Sequence, residues 1–152
     1  MSVQPPDEEL HDKEIVGRRA FGRCKKIFHE NNTVLHYRLD VFIDKRPGGI
    51  SVDRLGIGDY DKKRLGFLDT LGVAMGEKRT VRFRGWAQFS VSDLRECIQP
   101  TEAVGEENPF HAEVMRDGFP SPEAKRALAY QMCVLASQRD CIPSLTNGAE
   151  AA

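Results

Sequence analysis

This 152-residue chain is poor in several features, and each scarcity excludes something. It has four cysteines, Cys24, Cys97, Cys133 and Cys141, and no two stand in a Cys-x-x-Cys spacing. Zinc-ribbon and thioredoxin-type motifs are therefore absent, and no metal or other cofactor is expected. The thiols read as small hydrophobes that stay reduced in a cytoplasm. No apolar run approaches the roughly 20 residues of a spanning helix. The opening Met-Ser-Val-Gln-Pro-Pro-Asp-Glu-Glu has neither the basic nor the apolar region of a signal peptide. The expectation is a soluble, cytoplasmic protein with no membrane role. A net charge of −1 supplies no global pull toward nucleic acid. There is no internal repeat and no low-complexity tract.

What is present is ordinary globular composition, 40% hydrophobic and 30% charged. A chain of this length buries roughly 68–70% of its unfolded surface, so it needs no staples. We expect one domain over 13–142, between a flexible N-terminal arm (1–12) and a flexible tail (143–152). The charge is uneven. Lys13 to Lys26 holds six bases and one acid, whereas Thr101 to Glu123 holds six acids and one base. Such asymmetry means either pairing within the molecule or a binding role for the basic segment.

Period-two alternation marks three strands. Leu35, Tyr37, Leu39, Val41 and Ile43 alternate with His36, Arg38 and Asp40 over 34–43. Val81, Phe83, Ala87 and Phe89 lie against Arg82, Arg84, Trp86 and Gln88 over 80–89. Phe110, Ala112 and Val114 lie against His111 and Glu113. Pro47-Gly48-Gly49 predicts a turn that returns 50–55 as a hairpin partner of 34–43. The 15–30 segment is ambiguous, because Gly17 and Gly22 interrupt it; 23–28 suits a short strand. Leu65, Leu68, Leu71 and Met75 predict a helix over 59–75, capped by Asp59 or Asp61 and ended by Gly76. Ser90 or Ser92 opens a short helix to about Ile98. Ser121 as N-cap and Pro122 in the first turn predict the last helix, 122–138. The fold class is α+β: a mainly antiparallel sheet of about four or five strands with both main helices on its apolar face.

If those strands share one sheet, its polar face gathers His36, Arg38, Arg82, Arg84, Trp86, His111 and Glu113. Arginine grips phosphate or carboxylate with two parallel hydrogen bonds, and an exposed indole offers a stacking plane. The other reading of this face is a covering helix, with Trp86 in a second core and the arginines paired to the acidic 101–123 segment.

The remaining motifs carry less. Gly56-Ile57-Gly58 precedes a helix, but Asp59 and Asp61 stand where a phosphate would sit. His111-Ala112-Glu113 matches the His-x-Glu half of the zinc deaminase signature, without the paired thiolates that complete it. His29, His36 and His111 form an acid–base set only if their strands are neighbours. Lys25 and Lys26 beside Cys24 would lower its thiol pKa and make it reactive. Asp53-Arg54 suits an ion pair that closes the hairpin.

Three segments in order, Gly49-Ile50-Ser51-Val52-Asp53-Arg54, Gly85-Trp86-Ala87 and Asn108-Pro109-Phe110-His111-Ala112-Glu113, resemble a group of short uncharacterised bacterial proteins. These share a Ser-Val-Asp-Arg segment, a central Trp and an Asn-Pro-x-His-Ala segment. The resemblance covers about the middle two-thirds of the chain and brings no activity with it. It implies a compact bacterial domain and singles out Asp53, Arg54, Trp86, Asn108 and His111 as residues to test together.

The functional expectation is a small binding or accessory protein whose Arg/Trp/His face holds an anionic partner, an acidic protein surface or a nucleotide-like ligand. Nucleic acid is not the favoured partner. The ligand-binding set is Arg38, Asp53, Arg54, Arg82, Arg84, Trp86, Asn108 and His111. The alternative is an enzyme acting on a phosphate- or ribose-containing substrate. There His36 or His111 would move protons, arginines would clamp the anion, and Glu113 or Asp53 would orient the imidazole.

Overall fold

The computed structural model describes residues 9–30, 33–44, 49–95, 97–100, 108–115 and 118–145. Eight strands and two helices follow in chain order. They are β1 (Glu14–Phe21), β2 (Lys25–Glu30), β3 (Thr33–Tyr37), β4 (Ile50–Ile57), α1 (Lys62–Arg79), β5 (Phe83–Ser90), β6 (Ile98–Pro100), β7 (His111–Val114), α2 (Pro122–Ser137) and β8 (Ile142–Pro143). Six strands make one antiparallel sheet in the order β6-β7-β4-β1-β5-β8, and β2 and β3 form a separate hairpin. The α+β class and the antiparallel sheet are as expected.

The helices divide between the two faces of the sheet rather than sharing one. On the first face Val16, Ile50, Val52, Ala87, Phe89, Ala112 and Val114 meet Ala129, Met132, Cys133 and Ala136 of α2, with Leu35 and Tyr37 of β3. On the second, Ile15, Leu55, Phe83, Trp86 and Phe110 meet Leu65 and Leu68 of α1. The physical reason is that the central strands have no solvated face. Trp86 is fully buried under α1, and Arg19 and Asp53 bury their charges by pairing there. Close approach is built in: a Cβ on Gly17 would stand 2.7 Å from Trp86 Cβ, and one on Gly72 would stand 2.6 Å from the Phe83 ring.

The strand at the centre of the sheet, β1, comes from the segment that the sequence leaves ambiguous. Gly17, Arg18 and Arg19 break its alternation, and both arginines are nevertheless largely buried. Arg18 donates to Val41 O (2.9 Å) and Ser51 O (2.8 Å) and pairs with Asp44 at 3.4 Å.

The expected strand over 34–43 stops at Tyr37. Arg38 N bonds back to Cys24 O (2.9 Å), and Leu39–Phe42 make a 3-10 turn that places Phe42 edge-on to both Tyr37 and Phe89, 5.8 Å from each ring. Its predicted partner, β4, pairs with β1 and β7 instead. Helix α1 starts later than predicted, at the Asp61 cap, whose side chain accepts from Arg64 N. It also runs past Gly76. Thr80, with φ 56°, ends it, and Val81 N bonds to Gly76 O, so β5 begins only at Phe83. The short helix after Ser90 is one 3-10 turn, Val91–Leu94. Helix α2 opens as predicted, with Ser121 Oγ accepting from Ala124 N.

The folded unit reaches beyond 13–142. Leu10 lies in the first core, and Ser144 is buried with its hydroxyl donating to Asp69 Oδ1 of α1 (2.8 Å). Residues 1–8 of the expected arm and 146–152 of the expected tail lie outside the described residues. Among the described residues no helix is long and apolar enough to cross a membrane.

Candidate functional site

The sequence-derived residues separate into a buried group, a surface group and three outliers. The buried group surrounds Asp53, which is only 2% exposed. Strand alternation turns Asp53 of β4, Arg19 of β1 and Trp86 of β5 toward α1, and register sets Arg19 opposite Trp86 and Asp53 opposite His111. Arg19 grips Asp53 with Nε on Oδ2 (2.8 Å) and Nη2 on Oδ1 (3.0 Å). Trp86 Nε1 adds 2.9 Å to Oδ2, and Asn108 Nδ2 adds 3.1 Å to Oδ1. Asn108 Oδ1 in turn accepts from Phe110 N. Each carboxylate oxygen thus holds two donors. A buried charge is tolerable when paired and hydrogen-bonded in this way.

This corrects the open polar face expected for Trp86. The indole neither offers a stacking plane nor meets solvent. The alternative reading of a covering helix with Trp86 in a second core describes it. Asp53, Trp86 and Asn108 do come together, with His111, itself buried, on the neighbouring strand. Arg19 is the partner that sequence reasoning missed. The one signal for it was an arginine pair flanked by Val16-Gly17 and Ala20-Phe21, apolar on both sides.

Arg54 belongs to none of this. It faces the opposite side of β4 and forms a buried ion pair with Glu14 of β1, Nε to Oε2 at 2.5 Å and Nη2 to Oε1 at 2.9 Å. Asp53 and Arg54 therefore do not pair with each other, because adjacent strand residues point to opposite faces. His36 is exposed on the separate hairpin and Glu113 is half-buried on β7, so the His36–His111 cluster does not form. The side chain of His29 lies outside the described residues, as do Glu102, Glu106, Glu107 and Asp117 of the acidic segment.

The surface group is cationic. The link Gly22-Arg23-Cys24 is bonded on both sides: Gly22 N donates to Arg82 O (2.8 Å), and Cys24 O accepts from Arg38 N. These two bonds bring Arg23, Arg38 and Arg82 to one end of the sheet. The C-terminus of α1 ends there too, with Lys78 and Arg79, and Arg79 Cζ lies 5.1 Å from the centre of the Phe21 ring. Arg23, Lys25, Arg38, Lys78, Arg79 and Arg82 are exposed, and Arg84 is half-buried behind them. Arg38 pairs with Asp40 at 3.5 Å, and Glu77 is exposed on α1.

Cys24 is not an activated thiol. Lys25 and Arg84 pull its pKa down, but burial and the neighbouring Cys141 outweigh them and push it up. The glycine loop before α1 holds no phosphate cradle: Asp61 N donates to Leu55 O and the Asp61 carboxylate caps the helix. Among the described residues no three His, Cys, Asp or Glu side chains converge as a metal site. No protein-family model, curated protein or solved structure matches the chain.

Proposed function

We propose that this chain is a binding or accessory protein that holds an acidic protein surface on the cationic edge around Arg23, Arg79 and Arg82. The observation that carries the reading is the Gly22-Arg23-Cys24 link, which gathers cations from β1–β2, β3, α1 and β5 on one solvent-facing edge. Exposed Val81 and the Arg79–Phe21 stack add apolar surface beside the charges, as a protein partner requires. A nucleotide-like ligand fits less well. The edge carries the carbonyl end of α1, whose dipole repels phosphate, where a phosphate site would present N–H groups. The enzyme reading keeps Glu113 but not Asp53 as an orienting carboxylate, because the acceptor directions of Asp53 are already filled by Arg19, Trp86 and Asn108.

The test is fluorescence anisotropy with a labelled polyglutamate peptide and a labelled single-stranded oligonucleotide, at low and moderate salt. The unaltered protein should bind the peptide in a salt-sensitive way. Arg23→Glu, Arg79→Glu and Arg82→Glu together should weaken it at least tenfold, since exposed charge pairs contribute up to about 1 kcal/mol each. Retained peptide binding in that variant, or tighter binding of the oligonucleotide than of the peptide, would sink the proposal.

A further inference from the structure

Arg84 differs from the other cations of this edge. Arg23, Lys25, Arg38, Lys78, Arg79 and Arg82 are exposed, whereas Arg84 is half-buried. Its Nε is covered and has no hydrogen-bond acceptor among the described residues. The backbone that carries it is held in place. Arg84 O accepts from Ser144 N (3.1 Å), where the C-terminal strand closes on β5, and a Cβ on Gly85 would run into Ile142 O. Strand spacing sets Arg84 about 7 Å from Arg82, whose carbonyl secures the Gly22-Arg23-Cys24 link.

The other arginines drawn into the molecule show what such a group normally meets. Arg19 grips Asp53 with two bonds, and Arg54 grips Glu14 with two. Arg18 donates to Val41 O and Ser51 O and pairs with Asp44. Arg64, also half-buried, lays its guanidinium 4.6 Å from the centre of the Phe110 ring. A covered donor without an acceptor costs free energy, more so when the group is charged, and an acceptor that reaches it removes the cost. A carboxylate suits it best. Nε–H and one Nη–H point the same way, as a fork that matches the two carboxylate oxygens.

We infer that Arg84 is the specificity-determining residue of the cationic edge, taking one carboxylate side chain of the partner through Nε–H and one Nη–H together. The inference rests on the reading of this edge as a surface for an acidic protein. The exposed arginines and lysines attract the partner at long range, without choosing which of its groups docks. Because Nε is covered in the free protein, the guanidinium turns outward as the carboxylate arrives, and it breaks no bond of Nε in doing so. Docking therefore gives Nε an acceptor that the described residues of the folded chain do not supply.

The test is anisotropy with the labelled polyglutamate peptide, joined to urea unfolding of the free proteins. Arg84→Lys keeps the charge and removes the fork, and it should weaken peptide binding about tenfold or more, as expected for hydrogen bonds between charged groups. Arg23→Lys keeps an exposed charge and should weaken binding less than about threefold. Arg84→Met should weaken binding at least as much as Arg84→Lys. Its urea midpoint should nevertheless equal or exceed that of the unaltered protein, because Nε gains no bond on folding. Equal losses in the two lysine variants would overturn the inference and leave the edge as a binding surface. A lower urea midpoint in Arg84→Met would also overturn it, since the guanidinium would then serve the fold. No peptide binding by the unaltered protein would instead remove the reading of the edge itself, and the role of Arg84 with it.

Discussion

Trp86 Nε1 donates to Asp53 Oδ2 across 2.9 Å, joining two residues whose positions on the strand pattern suggest a solvated face. Because Arg19 and Asn108 fill the rest of that carboxylate, the four side chains act as one buried unit under α1. Asp53→Ala leaves the Arg19 charge buried without its partner and should destabilise the protein by about 3–5 kcal/mol in urea unfolding. Trp86→Phe removes the N–H together with the five-membered part of the indole, so the lost hydrogen bond of about 1.5–3 kcal/mol adds to the cost of a small cavity. Emission from Trp86 should be that of a buried indole and should stay flat while nucleotides are titrated. A saturable quench would mean that the α1 face opens to ligands.

The Glu14–Arg54 pair offers a cleaner separation of charge from packing. Both side chains are almost fully buried, at 1% and 2% exposure. Arg54→Met alone strands the Glu14 carboxylate and should cost about 3–5 kcal/mol. Arg54→Met with Glu14→Leu removes both charges and should recover most of that loss, because the desolvation cost disappears along with the attraction. A double variant as unstable as the single one would show that Arg54 matters through its bond to Glu9 O rather than through the ion pair. Urea midpoints of the two variants make the comparison.

How much of this was legible in the sequence depends on where the residues sit. Helix α2 was readable nearly to the residue, because Ser121 and Pro122 are local signals and need no partner. β7 was readable because Phe110, Ala112 and Val114 alternate cleanly. β1 was not, although it lies at the centre of the sheet: its Arg18 and Arg19 look solvated until Asp44, just after the 3-10 turn, and Asp53 of β4 are brought to them. The strand over 34–43 failed for the opposite reason. Its alternation is real, but the chain turns at Arg38 to put Phe42 against Phe89, a contact that no local pattern encodes. The Asp53, Trp86 and Asn108 association was legible only as three co-occurring segments, and Arg54, next in sequence to Asp53, faces the other core.

Two glycines of α1, Gly66 and Gly72, should respond in opposite directions. A Cβ on Gly66 meets nothing within 4 Å, so Gly66→Ala should stabilise by up to about 1 kcal/mol through helix propensity and reduced freedom of the unfolded chain. A Cβ on Gly72 would stand 2.6 Å from Phe83, so Gly72→Ala must displace the ring and should cost about 1–3 kcal/mol. Thermal midpoints of the two variants read the difference directly. Equal shifts would mean that α1 does not seat on Phe83.

Alkaline stability should track the Tyr37 cluster. Burial, with the neighbouring thiols, raises the pKa of both Cys24 and Tyr37 in the folded protein. An unfolded chain releases these protons near the ordinary thiol and phenol values, about 8.5 and 10. Between the unfolded and folded values the native state therefore holds more protons than the unfolded state, and stability falls as pH rises. Their contribution is intact below about pH 8 and declines from there, more steeply once the phenol joins near pH 10. Guanidinium unfolding at steps from pH 7 to 10.5 should show this decline. Tyr37→Phe removes the phenol proton but leaves Cys24, so its curve should keep the first part of the fall and flatten in the second. A variant curve parallel to that of the unaltered protein throughout would place the alkaline sensitivity outside this cluster.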